Sequence, residues 1–258
     1  MKFKHLQFTR HGAVGVLLLN RPQKRNALSD PMVEEIADCF ERLPEGVRAV
    51  VLHGAGEHFC AGLDLSELSE RSAASGMQHS RMWHRVFDQI QFGRVPVVAV
   101  LHGAVVGGGL ELASTAHVRV AERNTFYALP EGQRGIFVGG GASVRVPRLI
   151  GAARMADMMF TGRVYSAEEG QQAGISTYLV GEGEGLAKGM ELAEKIAGNA
   201  PATNFALMHA LPRIAELGQD AGLLMESLMA GIAQSEPEAK KRMKDFLEKR
   251  AAKVQRRG

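Results

Sequence analysis

Cysteine is scarce in this sequence. Cys39 and Cys60 are the only two among 258 residues, and they form no CxxC pair. That number excludes a disulfide framework, and the spacing excludes the common zinc motifs. A reducing compartment is the expectation. Long apolar runs are absent too: no stretch approaches the ~20 residues that cross a bilayer as a helix. The opening residues, MKFKHLQFTRHG, hold neither an apolar core of signal-peptide length nor an Arg/Ser-rich leader. A cytoplasmic chain that stays out of membranes is therefore expected. Charge is nearly balanced, with 31 Lys and Arg against 28 Asp and Glu, a net of +3. So small an excess of base does not argue for nucleic acid, and it suits a polyanionic small ligand equally well. Repeats of solenoid period and low-complexity stretches are also missing.

What is present is a globular composition, 45% hydrophobic and 23% charged. Val14 to Leu19, Ala49 to Leu52 and Val97 to Leu101 are Val-rich runs of strand length. Unbroken apolar runs of this kind fit strands covered on both faces. Asp30-Pro31 carries a helix start, a capping side chain followed by Pro in the first turn. Val33, Ile36, Phe40 and Leu43 follow at helical spacing and are expected to face the core. Alternating strand and helix through about residue 130 predicts an α/β layer with short crossovers. Later, Ser166 to Glu169 forms a capping box and Gly174 a stop. From Gly185 onward the pattern is almost wholly helical, punctuated by Pro201, Pro212 and Pro237. The expected division is an α/β core over 1–195 and a helical C-terminal subdomain over 196–258. In the basic tail, Met243, Phe246 and Leu247 fall on one side, which reads as a solvated helix with one docking stripe.

Three segments carry candidate chemistry. The first is His58-Phe59-Cys60-Ala61-Gly62-Leu63-Asp64-Leu65, just beyond a strand. Gly62 can turn the chain sharply, leaving the Leu63 N–H outside any ladder. Asp64 with Glu67 could cap a following helix. The second is His102 to Glu111, in which Gly107-Gly108-Gly109 opens a helix directly after a strand. The first N–H groups of a helix lack internal partners and favour negative charge. The glycine spacing is not GxGxxG, so Glu122 cannot complete a dinucleotide site, and no Gly-Lys-Ser/Thr follows to make a phosphate loop. The third is Phe126 to Glu131, a Pro-Glu turn followed by Gly135 and Gly139-Gly140-Gly141. Each segment alone also reads as plain structure: a strand-to-helix turn, close helix packing, a solvent-facing loop carboxylate. His53, His58 and His102 match no metal spacing and read as core or loop histidines. Gly181 to Gly185 reads as an acidic mobile loop.

Together, Asn20-Arg21-Pro22, Asn26 to Ser29, Ala61 to Leu65, the glycine triplet with Leu110-Glu111, and Pro130-Glu131 resemble the crotonase superfamily, the enoyl-CoA hydratase/isomerase family. The resemblance runs from the first strand to Phe246–Lys249. It implies an α/β fold, a spiral of ββα units with a helical C-terminal subdomain. It implies a thioester oxyanion held by the backbone N–H groups of Leu63 and Gly108, with Glu111 and Glu131 as the catalytic acids and bases. Hydratase-like members assign the first glutamate mainly to water and the second mainly to the α-carbon proton, and two close carboxylates should titrate as a coupled pair. It also implies coenzyme A contacts from Lys24, Arg25, Ala27, Ala61, Gly62, Asp64, Leu65, Phe246 and Lys249. Pro130, Gln133, Arg134 and Phe137 are expected to shape the acyl pocket. No metal and no cofactor is implied beyond the coenzyme A carried by the substrate. The implied partners are an acyl-CoA thioester and further copies of the chain, as a homotrimer or dimer of trimers, with nucleic acid and membrane not expected.

The sequence departs from the family pattern after Glu131. Val138 stands where Pro is usual, and Ala142-Ser143 where Gly-Thr is usual. An aromatic, branched or polar acyl group is therefore as consistent as a short fatty one. Retention of both glutamates favours hydration or dehydration. The enzymatic alternatives are a Δ3,Δ2-enoyl-CoA isomerase and a crotonase-fold hydrolase. The non-enzymatic alternative is an acyl-CoA or RNA-binding homologue.

Overall fold

The structure, a computed structural model, describes residues 1–64, 66 and 72–248. Leu65, Glu67 and Lys249, singled out above, lie outside the described residues. The chain divides into two compact units, Met1–Ala197 and Gly198–Gly258.

In the first unit the elements run, in chain order, β1 Leu6–His11, β2 Val14–Leu19, α1 Asp30–Glu41, β3 Ala49–Gly54, α2 Ala73–Gln91, β4 Val97–Leu101, β5 Ala104–Val106, α3 Gly108–Ala113, β6 Val118–Glu122, β7 Phe126–Ala128, α4 Ala142–Ile150, α5 Ala152–Thr161, β8 Tyr165–Ser166, α6 Ala167–Ala173, β9 Tyr178–Val180 and α7 Gly185–Ala197. A six-stranded sheet has the order β1-β2-β3-β4-β6-β9, and a three-stranded sheet the order β5-β7-β8. Only the β1–β2 pair in the large sheet is antiparallel. This is the expected α/β layer. The antiparallel edge strand β1 is an addition, because its alternating polar residues hide it among the surface-like N-terminal residues.

The apolar runs of β2, β3 and β4 are explained by two different coverings. Val14, Val16, Ala49, Val51, Val98 and Val100 point to one face, where Leu192, Ala193 and Ala197 of α7 pack on them. Leu17, Leu19, Val50, Leu52, Val97, Ala99 and Leu101 point to the other, into the main core with α1 and α2. Alternate side chains therefore enter different cores, and neither face can be polar. Val33, Ile36, Phe40 and Leu43 are buried there as expected. Asp30 differs from expectation. Ser29 is the N-cap of α1 and makes no side-chain capping bond, while the Asp30 carboxylate reaches α2 instead. The Ser166–Glu169 capping box is formed in full, with left-handed Gly174 ending α6. Glu122 accepts a bond from the Gly185 N–H, so this buried carboxylate receives the start of α7.

In the second unit, α8 Pro201–Phe205, a π turn over Ala206–Ala210, α9 Leu211–Ile214, α10 Gln219–Ser235 and α11 Pro237–Leu247 follow one another. The three prolines sit in first turns, where a missing N–H costs nothing. Met243, Phe246 and Leu247 are exposed, as are Leu224, Leu228 and Ile232 along α10. Among the described residues, no helix is long and apolar enough to cross a membrane.

Two glycines test the sheet covering. A Cβ at Gly189 of α7 would lie 2.5 Å from Val100 Cγ2, whereas one at Gly231 of α10 would meet nothing within 4 Å. Glycine to alanine normally favours a helix by about 1 kcal/mol. Overpacking costs about 1–3 kcal/mol. Thermal unfolding should therefore show Gly189→Ala lowering Tm by about 2–4 °C while Gly231→Ala raises it. A rise in both would mean that α7 is not tightly seated.

Candidate active site

The site forms where three backbone segments are laced together beyond the ends of β3 and β4. Ala61 N–H donates to Arg25 O at 3.0 Å, Leu28 N–H to Gly62 O at 2.7 Å and Asp64 N–H to Leu28 O at 2.8 Å. On the other side, Cys60 N–H donates to Ala104 O at 3.0 Å and Val106 N–H to Cys60 O at 3.1 Å. Leu28 and Leu63 thus pair as a parallel bridge, in which Gly62 and Asp64 supply the bonding groups. The Leu63 N–H points to the opposite side. Among the described residues, neither it nor the Gly108 N–H donates to a backbone acceptor.

Those two amides are close neighbours. A Cβ built on Gly108 would sit 3.4 Å from the Leu63 nitrogen, and one on Gly62 (φ +103°) would sit 3.6 Å from the Gly108 nitrogen. The rest of the glycine triplet answers to separate contacts. A Cβ on Gly107 (φ +52°) would lie 2.6 Å from Glu131 Oε1, and one on Gly109 would lie 2.2 Å from Cys60 O. The triplet is therefore a place where backbone, carboxylate and a facing strand approach within contact distance.

Glu111, on the first turn of α3, is 4% exposed. Its Oε1 accepts from Gly140 N–H at 2.8 Å and Ala142 N–H at 3.0 Å. Burial pushes its carboxyl above the usual range, and those N–H groups and the Arg145 charge oppose the shift. Arg145 holds the glycine loop, donating to Gly140 O at 3.1 Å, Asp88 Oδ1 at 2.7 Å and Gln91 Oε1 at 2.6 Å. Glu131, in the turn after β7, is 9% exposed, and its Oε2 is buried with no hydrogen-bond partner. Burial raises this carboxyl to about 7. Its own N–H opposes the rise, the negative charge of Glu111 adds to it, and Arg134 draws it back.

A cavity of about 320 Å³ joins these groups. Leu63, Gly108, Glu111 and Glu131 all border it, so the structure brings together the four residues expected at its centre. Phe137 and Val138 border it as well. Pro130, Gln133 and Arg134 do not, a correction to their expected place in the pocket wall. Gln133 is turned away, donating to Met159 O. Arg134 donates its backbone N–H to Glu131 O at 3.0 Å and acts on the Glu131 carboxyl through its charge. Lys24 and Arg25 are exposed on the turn over Pro22–Lys24, and Ala27 is buried beside it. Asn26 locks this turn to the loop after β3 by bonding the Arg21 N–H, Ala55 O and His58 O. Asp64 is buried, and its carboxylate is taken by Arg21 at 2.8 Å and by Ser66. The segment whose helix Asp64 and Glu67 were expected to cap lies, beyond Ser66, outside the described residues. Phe246 is exposed on α11 in the second unit. His58 accepts from Ala104 N–H and His102 donates to Gly56 O, so both histidines fasten loops.

Sequence reasoning missed the wall supplied by α2. Gly76, His79, Ser80 and Trp83 all border the cavity. Their spacing of i, i+3, i+4 and i+7 is one helical face, a signal present in the sequence. Among the described residues, no cluster of side chains could hold a metal ion.

Known proteins are similar to this chain over nearly its full length. It is 31% identical to a short-chain-enoyl-CoA hydratase of Clostridium acetobutylicum, over 97% of both chains. It is 30% identical to a 2,3-dehydroadipyl-CoA hydratase of Escherichia coli, over 94% of this chain and 95% of the other. A crystal structure from Rhodopseudomonas palustris CGA009, provisionally described as an enoyl-CoA hydratase, superposes with a TM-score of 0.93 at 60% identity, covering 95% of each chain. The profile described as Enoyl-CoA hydratase/isomerase matches residues 9–257, and the chain therefore belongs to the enoyl-CoA hydratase/isomerase family.

Proposed function

We propose that the protein adds water across the α,β double bond of an enoyl-CoA thioester, or removes it, using Glu111 and Glu131. One observation carries this reading. Two unbonded amides and two buried carboxyl groups of unlike environment face one small cavity.

The thioester carbonyl oxygen sits between the Leu63 and Gly108 N–H groups. Negative charge grows there as a nucleophile adds at the β-carbon, and each donor is worth about 3–4 kcal/mol at that moment. Glu111 is fixed through Oε1 by two N–H groups, which favour its charged form. It takes a proton from water as the oxygen bonds to the β-carbon. Glu131 lacks such donors on Oε2 and holds its proton near neutrality. It delivers that proton to the α-carbon, and proton exchange through the bound water restores both groups. Two carboxyl groups held in unlike surroundings can act one as base and the other as acid at one pH.

The adenosine and pantetheine sections of coenzyme A are assigned to the Gln23–Ala27 turn, with Lys24 and Arg25 meeting phosphates. No group beyond the substrate's own coenzyme A is required. A homotrimer or dimer of trimers is proposed on the family resemblance, supported by the exposed Leu224, Leu228 and Ile232 stripe. A cytoplasmic location is supported by two buried, unpaired cysteines.

Loss of conjugated-thioester absorbance across a panel of enoyl-CoA substrates tests the reaction. Glu111→Gln and Glu131→Gln should each lower kcat by about 10²–10⁴-fold. Survival of turnover in the Glu111 variant would favour double-bond isomerisation instead.

The pH profile of hydration kcat/KM should be bell-shaped. One limb comes from the carboxyl that must be charged to take the proton of water and the other from the carboxyl that must keep its proton; burial raises both above the usual carboxylate range, Glu131 to about 7. The two limbs belong to the coupled pair rather than to single groups. A profile flat between pH 5 and 9 would rule the assignment out.

The same shift has a stability consequence. A carboxyl at about 7 in the fold and near ~4.3 in the unfolded chain keeps its proton only in the native state between those values. Native stability therefore falls as pH rises across that window and levels off above it. Glu131→Gln removes the loss. Its melting temperature relative to the parent should rise between pH 5 and pH 8, as read by calorimetry.

A further inference from the structure

The cavity contains a polar side chain that the proposed reaction leaves unused. His79 borders it from α2, and its Nε2 lies 2.7 Å from Asp30 Oδ1. Trp83 Nε1 donates to the same oxygen at 3.1 Å. A carboxylate oxygen only accepts, so His79 must donate from Nε2. The ring is thereby fixed in rotamer, stacked at a tilt beside Trp83 with centroids 5.8 Å apart. Its second nitrogen, Nδ1, has no partner among the described residues. Ser80, next along the wall, is already committed: its hydroxyl donates to Gly139 O at 2.5 Å. Trp83, Ile136, Phe137 and Val138 supply apolar surface. Beyond the two glutamates and the two free amides assigned to the thioester, His79 Nδ1 is, among the described residues, an oriented side-chain nitrogen without a partner, on a residue that borders the cavity beside apolar walls.

We propose that His79, held by Asp30 and Trp83, is a specificity residue that selects acyl groups carrying a hydroxyl. This rests on the acyl-CoA reading above and extends it to the acyl group. A hydroxyl fits Nδ1 in either state of the ring, donating to the neutral imidazole or accepting from the protonated one. A carboxylate fits only the protonated ring, and it would enter a cavity already bordered by Glu111 and Glu131, with Asp30 behind His79. A plain hydrocarbon leaves Nδ1 buried without a partner when the substrate closes the cavity, which costs free energy. Discrimination between chains that differ by one hydrogen-bonding group is largest where the site's own polar atom would otherwise be stranded.

The test uses saturated thioesters, so that binding is read without turnover. Calorimetric Kd values are measured for hexanoyl-CoA, 5-hydroxyhexanoyl-CoA, 6-hydroxyhexanoyl-CoA and adipoyl-CoA. At least one hydroxy thioester should bind the parent protein about five- to tenfold more tightly than hexanoyl-CoA, the worth of one ordinary hydrogen bond. That ratio should fall to about one in His79→Leu and return in part in His79→Gln, whose amide can still meet a hydroxyl. Taking ratios within each variant cancels any effect on the fold or on coenzyme A binding. A parent ratio of one for both hydroxy thioesters, or a preference that persists in His79→Leu, overturns the proposal. So does tighter binding of adipoyl-CoA than of either hydroxy thioester. If no thioester binds at all, the acyl-CoA reading itself fails. Equal binding of all four defeats the His79 assignment alone.

Discussion

The site depends on two peptide N–H groups being held out of every ladder around them. Leu63 and Gly108 lie among segments whose neighbouring N–H groups are nearly all spent: Ala61, Leu28 and Asp64 on one side, Cys60, Val106 and Gly107 on the other. This crowding fixes the two free amides, because each neighbour's bond sets the plane of the next peptide. It also explains the glycines. At Gly107, Gly108 and Gly109 a side chain would meet a carboxylate, the Leu63 nitrogen and a carbonyl, respectively. Backbone donors placed this way need no reorganisation as charge develops, and that is where electrostatic catalysis gains over water.

The two carboxyl groups are made different by what surrounds them, and not by depth alone. Both are nearly fully buried. Glu111 is stabilised as an anion by the N–H groups of the 140–142 loop, and Arg145 ties that loop to Asp88 and Gln91 of α2. Glu131 has a buried oxygen with nothing to bond. An unsatisfied buried polar atom is costly. It persists here where a proton must be kept and then given up, so the strain coincides with the proposed acid.

Much of this was legible in the sequence, for identifiable reasons. The Val-rich runs announced β2, β3 and β4, because a strand covered on both faces has no polar alternation to obscure it. The glycine runs and the Pro-Glu turn marked backbone shape locally, but the roles of Leu63, Gly108, Glu111 and Glu131 came from the family resemblance of those segments taken together. What escaped was long-range. Asp30 reads as a helix cap, since Asp before Pro normally is one. Only the packing of α1 on α2 gives its carboxylate the better partners His79 and Trp83. Gln133 was expected in the pocket wall because its loop follows Glu131, yet its side-chain amide is spent on Met159 O. β1 escaped because an edge strand with one wet face resembles an exposed terminus.

Helix α2 joins the two halves of the site. Its middle gives the cavity His79, Ser80 and Trp83, and its last turn gives Asp88 and Gln91 to the arginine that holds the Glu111 loop. His117 pins the end of the same helix, accepting the Val97 N–H at 3.0 Å and bonding Gln91 O at 3.0 Å, which fixes α2 to the start of β4. A rigid helix anchored at its far end can carry acyl recognition and glutamate placement on one body. The proposed contact at His79 and the loop that holds Glu111 are then anchored on the same element. Selectivity in such a site is changed at the cavity face of α2, while its last turn must stay fixed for the chemistry to survive.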